Sequence, residues 1–205
     1  MQFFSPDSKF AQIMTAFGEM MILNFCWIIG SLPLVTIGAS NAAMYTVLGR
    51  RLREDDRGTL VPFFRAWWSN LKQGSLFWVA QALITCSLAS ILFLPMPLFL
   101  KVIAGILLLL VTVVFSLIYP QLARFRNRWF AFLRNAVILL VIRLRWVLLN
   151  LLLILTPFIL FLIAPIDFLR FGFVWILCGF SGIFFLSAEL MQKILQPLEE
   201  LSARN

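Results

Sequence analysis

One acid, Glu19, and three amides, Asn24, Gln81 and Asn150, lie within the apolar stretches of this chain. Glu19, Asn24 and Gln81 are candidates for chemistry inside a membrane. An ionisable group within an apolar span is rare and often functional, because burying its charge in lipid is costly. Glu19 could bind a cation, relay protons or pair with Lys101, and the two amides could extend a polar path from it. The alternative is structural: an ion pair or a neutral acid in a water-filled vestibule for Glu19, and interhelical hydrogen bonds for the amides.

Catalytic chemistry has little basis in this sequence. The chain contains no histidine, which removes the commonest general base and the commonest metal ligand. Its three cysteines, Cys26, Cys86 and Cys178, are far apart and lack the C-x-x-C spacing of zinc sites. Nucleotide-binding, serine-hydrolase and zinc-protease motifs are missing as well. We therefore expect a protein that is not an enzyme and that uses no metal and no cofactor.

The composition indicates a membrane protein. Hydrophobic residues make up 62% of the 205-residue chain and charged residues 13%, against about 45–50% and about 25% in soluble domains. Several apolar blocks reach the roughly 20 residues that a helix needs to cross a bilayer, and no alternating strand pattern recurs. We predict an all-α integral membrane protein, with residues 1–205 as a single membrane domain. The five predicted spans cover residues 10–35, 75–94, 98–120, 146–164 and 171–190.

A helix break follows the first apolar block. Proline removes a backbone donor and clashes with the preceding turn, so the first span should end or kink at Pro33. The helix then resumes and leaves the apolar phase at about Arg53. Small side chains after the break would allow helices to approach closely in lipid. The break and packing motif consists of Pro33, Thr36, Gly38, Ala39, Ala42 and Ala43.

Two further segments, residues 60–73 and 129–142, are predicted to be amphipathic helices at the cytoplasmic interface. The first places Phe64, Trp67 and Trp68 on one helical face, which is typical of a helix that lies in the interface. The second is apolar but too short to cross, and arginines follow it, each of which costs about 2.5–3.5 kcal/mol at the bilayer centre. It could alternatively dip into the membrane or extend the next span.

The basic residues predict an orientation. The net charge of +8 would suggest nucleic-acid binding in a soluble protein, but no recognition module is present and the basic residues flank apolar spans. Fourteen of the 17 basic residues lie between spans one and two, between spans three and four, or in the tail. Only Lys9, Lys101 and Arg170 lie on the other side. The positive-inside rule then places the N-terminus outside and the C-terminus in the cytoplasm.

The cytoplasmic arginines and aromatic residues are also candidates for contact with a protein partner. Their alternative roles are to mark topology, to bind lipid headgroups and to anchor the chain at the interface. The set comprises Arg50, Arg51, Arg53, Phe64, Trp67, Trp68, Arg124, Arg126 and Arg128.

Two groups of residues resemble signatures of the YesL-type family of bacterial membrane proteins, and the resemblance extends from about Phe3 to about Glu189. The first group consists of Leu23, Asn24, Trp27, Ser31, Leu32, Pro33, Val35, Thr36, Ile37, Gly38, Ala39, Ser40, Ala43, Tyr45, Phe63 and Phe64. The second, looser group consists of Tyr119, Pro120, Ala123, Arg124, Phe125, Arg134, Asn135 and Ala136.

The resemblance implies a function in carbohydrate uptake and gives no catalytic activity. That family has no established biochemical activity, and its members accompany carbohydrate uptake systems built around ABC importers. It implies an accessory membrane protein linked to sugar or oligosaccharide import in a Gram-positive-type bacterium. Together with the missing catalytic motifs, this predicts a non-enzymatic accessory or regulatory protein in the cytoplasmic membrane. Its expected partners are importer permease subunits, membrane lipids or further copies of itself. The chain lacks the E-A-A loop through which permease subunits dock their ATPase. The alternatives are an independent small-solute transporter or channel that uses Glu19, and a membrane assembly factor.

Overall fold

The structure, a computed structural model, describes residues 9–53, 58–125 and 129–203. Those residues form helices and short connections without any strand, which confirms the all-α prediction. The helices are α1 (Lys9–Ser31), α2 (Ile37–Arg51), α3 (Leu60–Phe93), α4 (Leu98–Arg124), α5 (Trp129–Ile142), α6 (Leu144–Ile163), α7 (Pro165–Arg170), α8 (Gly172–Val174) and α9 (Phe180–Ala203). A 3₁₀ turn (Leu34–Thr36) precedes α2, and a π-helical turn (Trp175–Gly179) precedes α9.

Five helical segments are long and apolar enough to cross a bilayer, as predicted, and they make this a multi-pass membrane protein. They are Phe10–Ser31, Leu60–Phe93, Leu98–Arg124, Leu144–Ile163 and Gly172–Gln196. The first ends four residues before the predicted bound at residue 35, and the last continues six residues beyond the predicted bound at residue 190.

Hydrogen bonds to one carbonyl mark the end of α1. Because Pro33 has no N–H, the last carbonyls of α1 need other donors. The Gly30 carbonyl accepts a hydrogen bond from the Thr36 hydroxyl at 2.7 Å and another from the Trp67 indole N–H at 3.1 Å. The break after Ser31 is therefore tied both to the start of α2 and to α3.

After this break α2 runs back along α1. The Trp27 indole N–H donates to the Asn41 Oδ1 at 2.9 Å near the turn, and Glu19 forms an ion pair with Arg51 farther from it. The two helices are thus an antiparallel hairpin. Pairing with Lys101, one of the options for Glu19, is not found, since α1 and α4 make no contact within the described ranges.

The predicted interfacial helix over residues 60–73 is wrong as a separate element. It continues without interruption into the second span as α3, whose 34 residues extend about 50 Å at about 1.5 Å per residue. That length exceeds the roughly 30 Å of a hydrocarbon core. The amphipathic pattern changes near Gly74, but the helix continues through this glycine, and α2 packs directly against it.

The tightest contact of the bundle joins α2 and α3 at Gly38, Ala39 and Gly74. A Cβ added to Gly74 would lie 2.8 Å from the Ala39 Cα, and a Cβ added to Gly38 would overlap the Gly74 carbonyl. Beyond this point, Ala42 and Ala43 of α2 are completely buried. Small side chains therefore bring α2 into the centre of the bundle, where it also contacts α1, α4 and α9.

The second half of the chain encloses this centre. Residues 129–142, predicted as an amphipathic helix, form α5, and its side chains Phe132, Ala136 and Leu139 are fully buried. It contacts α4, α6 and α9. After α5 the chain turns at Arg143, and α6 packs against α9.

We predict that Gly38→Ala and Gly74→Ala each destabilise the fold. The added methyl group must displace backbone atoms, and overpacking of this kind costs about 1–3 kcal/mol. Gly105→Ala in α4 is the matched control, because nothing lies within 4 Å of its added Cβ. Thermal unfolding in detergent, followed by circular dichroism, should show lower midpoints for the first two variants. An equal midpoint for all three would contradict the α2–α3 contact.

Candidate functional site

A cavity of about 360 Å³ lies between α1, α2, α3, α4, α6 and α9. Thr112, near the middle of α4, and Ile154, near the middle of α6, line the cavity, which therefore lies at mid-length of these two helices. Aromatic side chains from five helices, α1, α2, α3, α4 and α9, dominate its walls. They are Trp27, Tyr45, Trp78, Tyr119, Phe180 and Phe184.

One wall of the cavity is a contiguous aromatic cluster. The Trp27 ring lies 4.9 Å from the Phe180 ring and 6.1 Å from the Phe184 ring, measured between centroids. Tyr45 meets Phe184 edge to face at 5.2 Å. Contacts at these distances are typical of attractive aromatic pairs, so the cluster holds α1, α2 and α9 together around the cavity.

The polar lining of the cavity is uncharged. It consists of Asn41, Gln81, Thr112, Ser116 and Ser187, with no carboxylate, lysine or arginine among the lining residues. The Thr112 and Ser116 hydroxyls donate to carbonyls of their own helix, at 2.8 Å and 2.7 Å. Toward a molecule in the cavity, these two hydroxyl oxygens can therefore act only as hydrogen-bond acceptors.

The two cavity amides are oriented by aromatic donors. An indole N–H can only donate, so its bond to Asn41 requires that the Asn41 oxygen face Trp27. The Tyr119 hydroxyl likewise donates to the Gln81 Oε1 at 2.6 Å. The NH₂ groups of Asn41 and Gln81 make no hydrogen bond with any described residue and are not sealed in the core. The cavity thus holds two available donor groups.

A buried hydrogen-bond chain borders the cavity. Ser187 donates to the Asn150 Oδ1 at 2.5 Å, and because a hydroxyl has one proton, Tyr45 must donate to Ser187 at 2.7 Å. The chain connects α2, α9 and α6. The Asn150 Nδ2 at its end is buried without a partner in the described structure.

The structure does not bring Glu19, Asn24 and Gln81 together into the predicted polar path. Glu19 is about a quarter exposed and pairs with Arg51 outside the cavity. Asn24 is fully buried and holds the π-helical turn: its Nδ2 donates to the Trp175 carbonyl at 3.0 Å and the Ile176 carbonyl at 2.6 Å, and its Oδ1 accepts from the Ser181 N–H at 2.9 Å. Gln81 alone lines the cavity.

Sequence reasoning missed Asn41, Tyr45, Tyr119 and Ser187 as site residues. One signal was available, because the chain has only two tyrosines and both line the cavity. Both also occur in the motifs that carry the family resemblance. Nothing in the local sequence singles out Ser187, whose role depends on the approach of α2 and α6 to α9.

A second site is a polar groove of about 730 Å³, the arginine groove, lined by Arg50, Arg65 and Arg124. A smaller pocket of about 250 Å³ beside it adds Arg53 and is also bordered by Tyr45. The predicted arginine clusters near residues 50 and 124 therefore meet on one surface, although they are distant in sequence. Arg51 is engaged by Glu19, and Arg126 and Arg128 lie outside the described residues.

The predicted aromatic contact residues differ in exposure. Trp68 is 73% exposed. Trp67 donates to the Gly30 carbonyl, and Phe64 is half-buried and meets Phe63 edge to face at 5.4 Å. Only Trp68 of the three presents most of its side chain to the surroundings.

The first half of the chain is similar to a known family. Residues 20–92 match the family model described as "Protein of unknown function, DUF624". The match covers 73 of the 205 residues and includes the helix break, α2 and nearly all of α3. It supports the family resemblance of this part at the level of an uncharacterised family. No curated protein and no solved structure matches the chain.

The side chains that could ligate a metal are dispersed over the described part of the chain. No three residues among histidine, cysteine, aspartate and glutamate cluster there as ligands would. Cys26, Cys86 and Cys178 are all free thiols.

We predict that Asn24→Ala loosens the π-helical turn. The substitution removes the Asn24 partner from two carbonyls of that turn and from the Ser181 N–H of α9. An unpaired buried polar group costs about 1–3 kcal/mol. Hydrogen exchange should accelerate at the Ser181 amide, and the unfolding midpoint should fall. Asn70→Ala is the control, since the Asn70 amide bonds only within its own helix. An unchanged hydrogen-exchange rate at the Ser181 amide would contradict the stabilisation of this turn by Asn24.

Proposed function

We propose that this chain is a non-enzymatic accessory or regulatory subunit of a carbohydrate ABC importer in a bacterial cytoplasmic membrane. The observation that carries the proposal is the arginine groove, in which Arg50, Arg65 and Arg124 from three helices line one surface. Guanidinium groups bind carboxylates through paired hydrogen bonds, so such a groove suits an acidic segment of a protein partner. The resemblance to a family that accompanies carbohydrate importers supplies the partner's class.

The groove also provides a polar surface that the apolar spans do not. Thr46, Ser69, Asn70 and Gln73 line it beside the arginines. An acidic loop of an importer's membrane subunit would therefore find both charge and hydrogen-bond partners. Anionic lipid headgroups would use the same chemistry, and the experiment below separates the two ligands.

We propose further that both termini lie in the cytoplasm, which differs from the orientation expected from sequence. That expectation assumed that the first segment crosses the membrane once. The antiparallel α1–α2 hairpin instead returns to the side where α1 begins, as the Glu19–Arg51 ion pair indicates. With the arginine groove facing the cytoplasm, only Lys101 and Arg170 remain on the outer side, which agrees better with the positive-inside rule.

The orientation is testable by thiol labelling. In a variant in which Cys26, Cys86 and Cys178 are replaced by serine, single cysteines are placed ahead of residue 9, at Leu60, at Met96 or at Ile166. We expect a membrane-impermeant maleimide to label the last two in intact cells, and the first two only after permeabilisation. Labelling of the N-terminal cysteine in intact cells would restore the expected orientation with the N-terminus outside.

Partner binding is testable by purification in mild detergent. Importer membrane subunits should co-purify with the wild-type chain, and Arg50→Gln combined with Arg65→Gln should reduce their recovery at least about tenfold, since each lost charged hydrogen bond costs about 1.5–3 kcal/mol. Arg134→Gln is the control, because this arginine is exposed on α5 and does not line the groove.

The outcome separates protein partner from lipid. Recovery that is unchanged in the double variant would contradict the docking role. Loss of co-purified anionic lipid, with importer subunits absent even from the wild-type preparation, would assign the groove to headgroups instead.

An independent transporter or channel is the second candidate, and the neutral cavity is the observation that favours it. Its expected path through Glu19 has no structural support, because that acid lies outside the cavity and is paired. Solute flux in proteoliposomes that Thr112→Phe abolishes, by filling the cavity, would favour this candidate over the accessory subunit. A membrane assembly factor would instead show transient partners.

A further inference from the structure

We propose that the cavity binds an uncharged molecule with a flat apolar ring and two carbonyl-type oxygens, the chemistry of a lipid-soluble quinone or diketone. The proposal concerns binding alone and includes no reaction. It is independent of the arginine groove. The ligand proposal can therefore fail while the proposed function stands, and the proposed function can fail while the ligand proposal stands.

The lining sets the charge of the ligand. Burying an ion in a low-dielectric site requires a charged or strongly hydrogen-bonding partner, and the cavity provides no carboxylate, lysine or arginine. Its walls are mainly aromatic and aliphatic. A neutral and largely apolar molecule is therefore the ligand that these walls accommodate.

The amides set the polar contacts of the ligand. Asn41 and Gln81 have their oxygens engaged by Trp27 and Tyr119, and each retains an NH₂ group that no described residue accepts. Unpaired donors in a site of this kind favour a ligand with acceptors at matching places. Two oxygens on the ligand would satisfy both amides.

The aromatic walls set the shape. Trp27, Phe180 and Phe184 form one continuous aromatic surface, and Trp78 lines the cavity beside Gln81. A flat ring gains more than its buried area when it meets such surfaces in offset or edge-to-face contact. The position of the cavity near the middle of α4 and α6 fits a ligand that arrives through the bilayer.

The test compares two probes of the same shape. 2,3-Dimethyl-1,4-naphthoquinone carries the two oxygens, has no free ring position for thiol addition, and is matched by 2,3-dimethylnaphthalene, which lacks the oxygens. Binding to the full-length protein in detergent is measured by calorimetric titration, with empty micelles as the blank. We expect saturable binding of the quinone and at least about tenfold weaker binding of the hydrocarbon, because two hydrogen bonds are lost.

Variants locate the binding. Gln81→Met and Asn41→Leu should each weaken quinone binding by about 3–10-fold, consistent with one lost hydrogen bond. Thr112→Phe should abolish it by filling the cavity, and this variant keeps the fold testable because the Thr112 hydroxyl bonds only its own helix. Asn70→Leu, outside the cavity, should leave binding unchanged. Equal affinity for both probes, no saturable binding of the quinone, or undiminished binding by Thr112→Phe would each overturn the proposal.

Discussion

The contact of two backbones, α2 against α3, is the constraint on which the rest of the bundle depends. Helix association in lipid gains little from hydrophobic burial, because the lipid is as apolar as the side chains, so close packing must supply the energy. Gly38, Ala39 and Gly74 permit that approach. It places a short helix with buried small residues at the centre, from which Asn41 reaches α1, Tyr45 reaches α9 and Arg50 reaches the groove beside α4.

This central helix separates two environments of opposite character. Along α2, Asn41 lines the neutral aromatic cavity and Arg50 lines the arginine groove, while Tyr45 borders both the cavity and the smaller arginine pocket. Hydrogen bonds among neutral groups persist in a low-dielectric interior at small cost, whereas guanidinium groups need water or an anionic partner. The division therefore follows from where each group can be solvated.

Much of the fold could be predicted because hydropathy reports spans directly. All five apolar segments appear in the structure, and residues 129–142 form the short helix expected between arginine-rich stretches. The direction of the chain after Pro33 could not be predicted, because a helix break has many geometries and the packing of α2 on α3 selects one. The partner of Glu19 and the union of residues 60–93 in one helix were missed for this reason. The cavity is even harder to predict from the sequence, since its polar residues come from four helices.

The π-helical turn held by Asn24 has a consequence for the phase of the last helix. Such a turn contains one residue more than an α-helical turn, so every side chain beyond Gly179 is rotated by about 100° relative to an unbroken α-helix. Phe180, Phe184 and Ser187 share one face of α9 and meet the cavity in that rotated register. Removing a single residue from Trp175–Gly179 would leave the hydropathy profile nearly intact and yet rotate this face away from the cavity. The length of one turn is thus as strictly constrained as the side chains it positions.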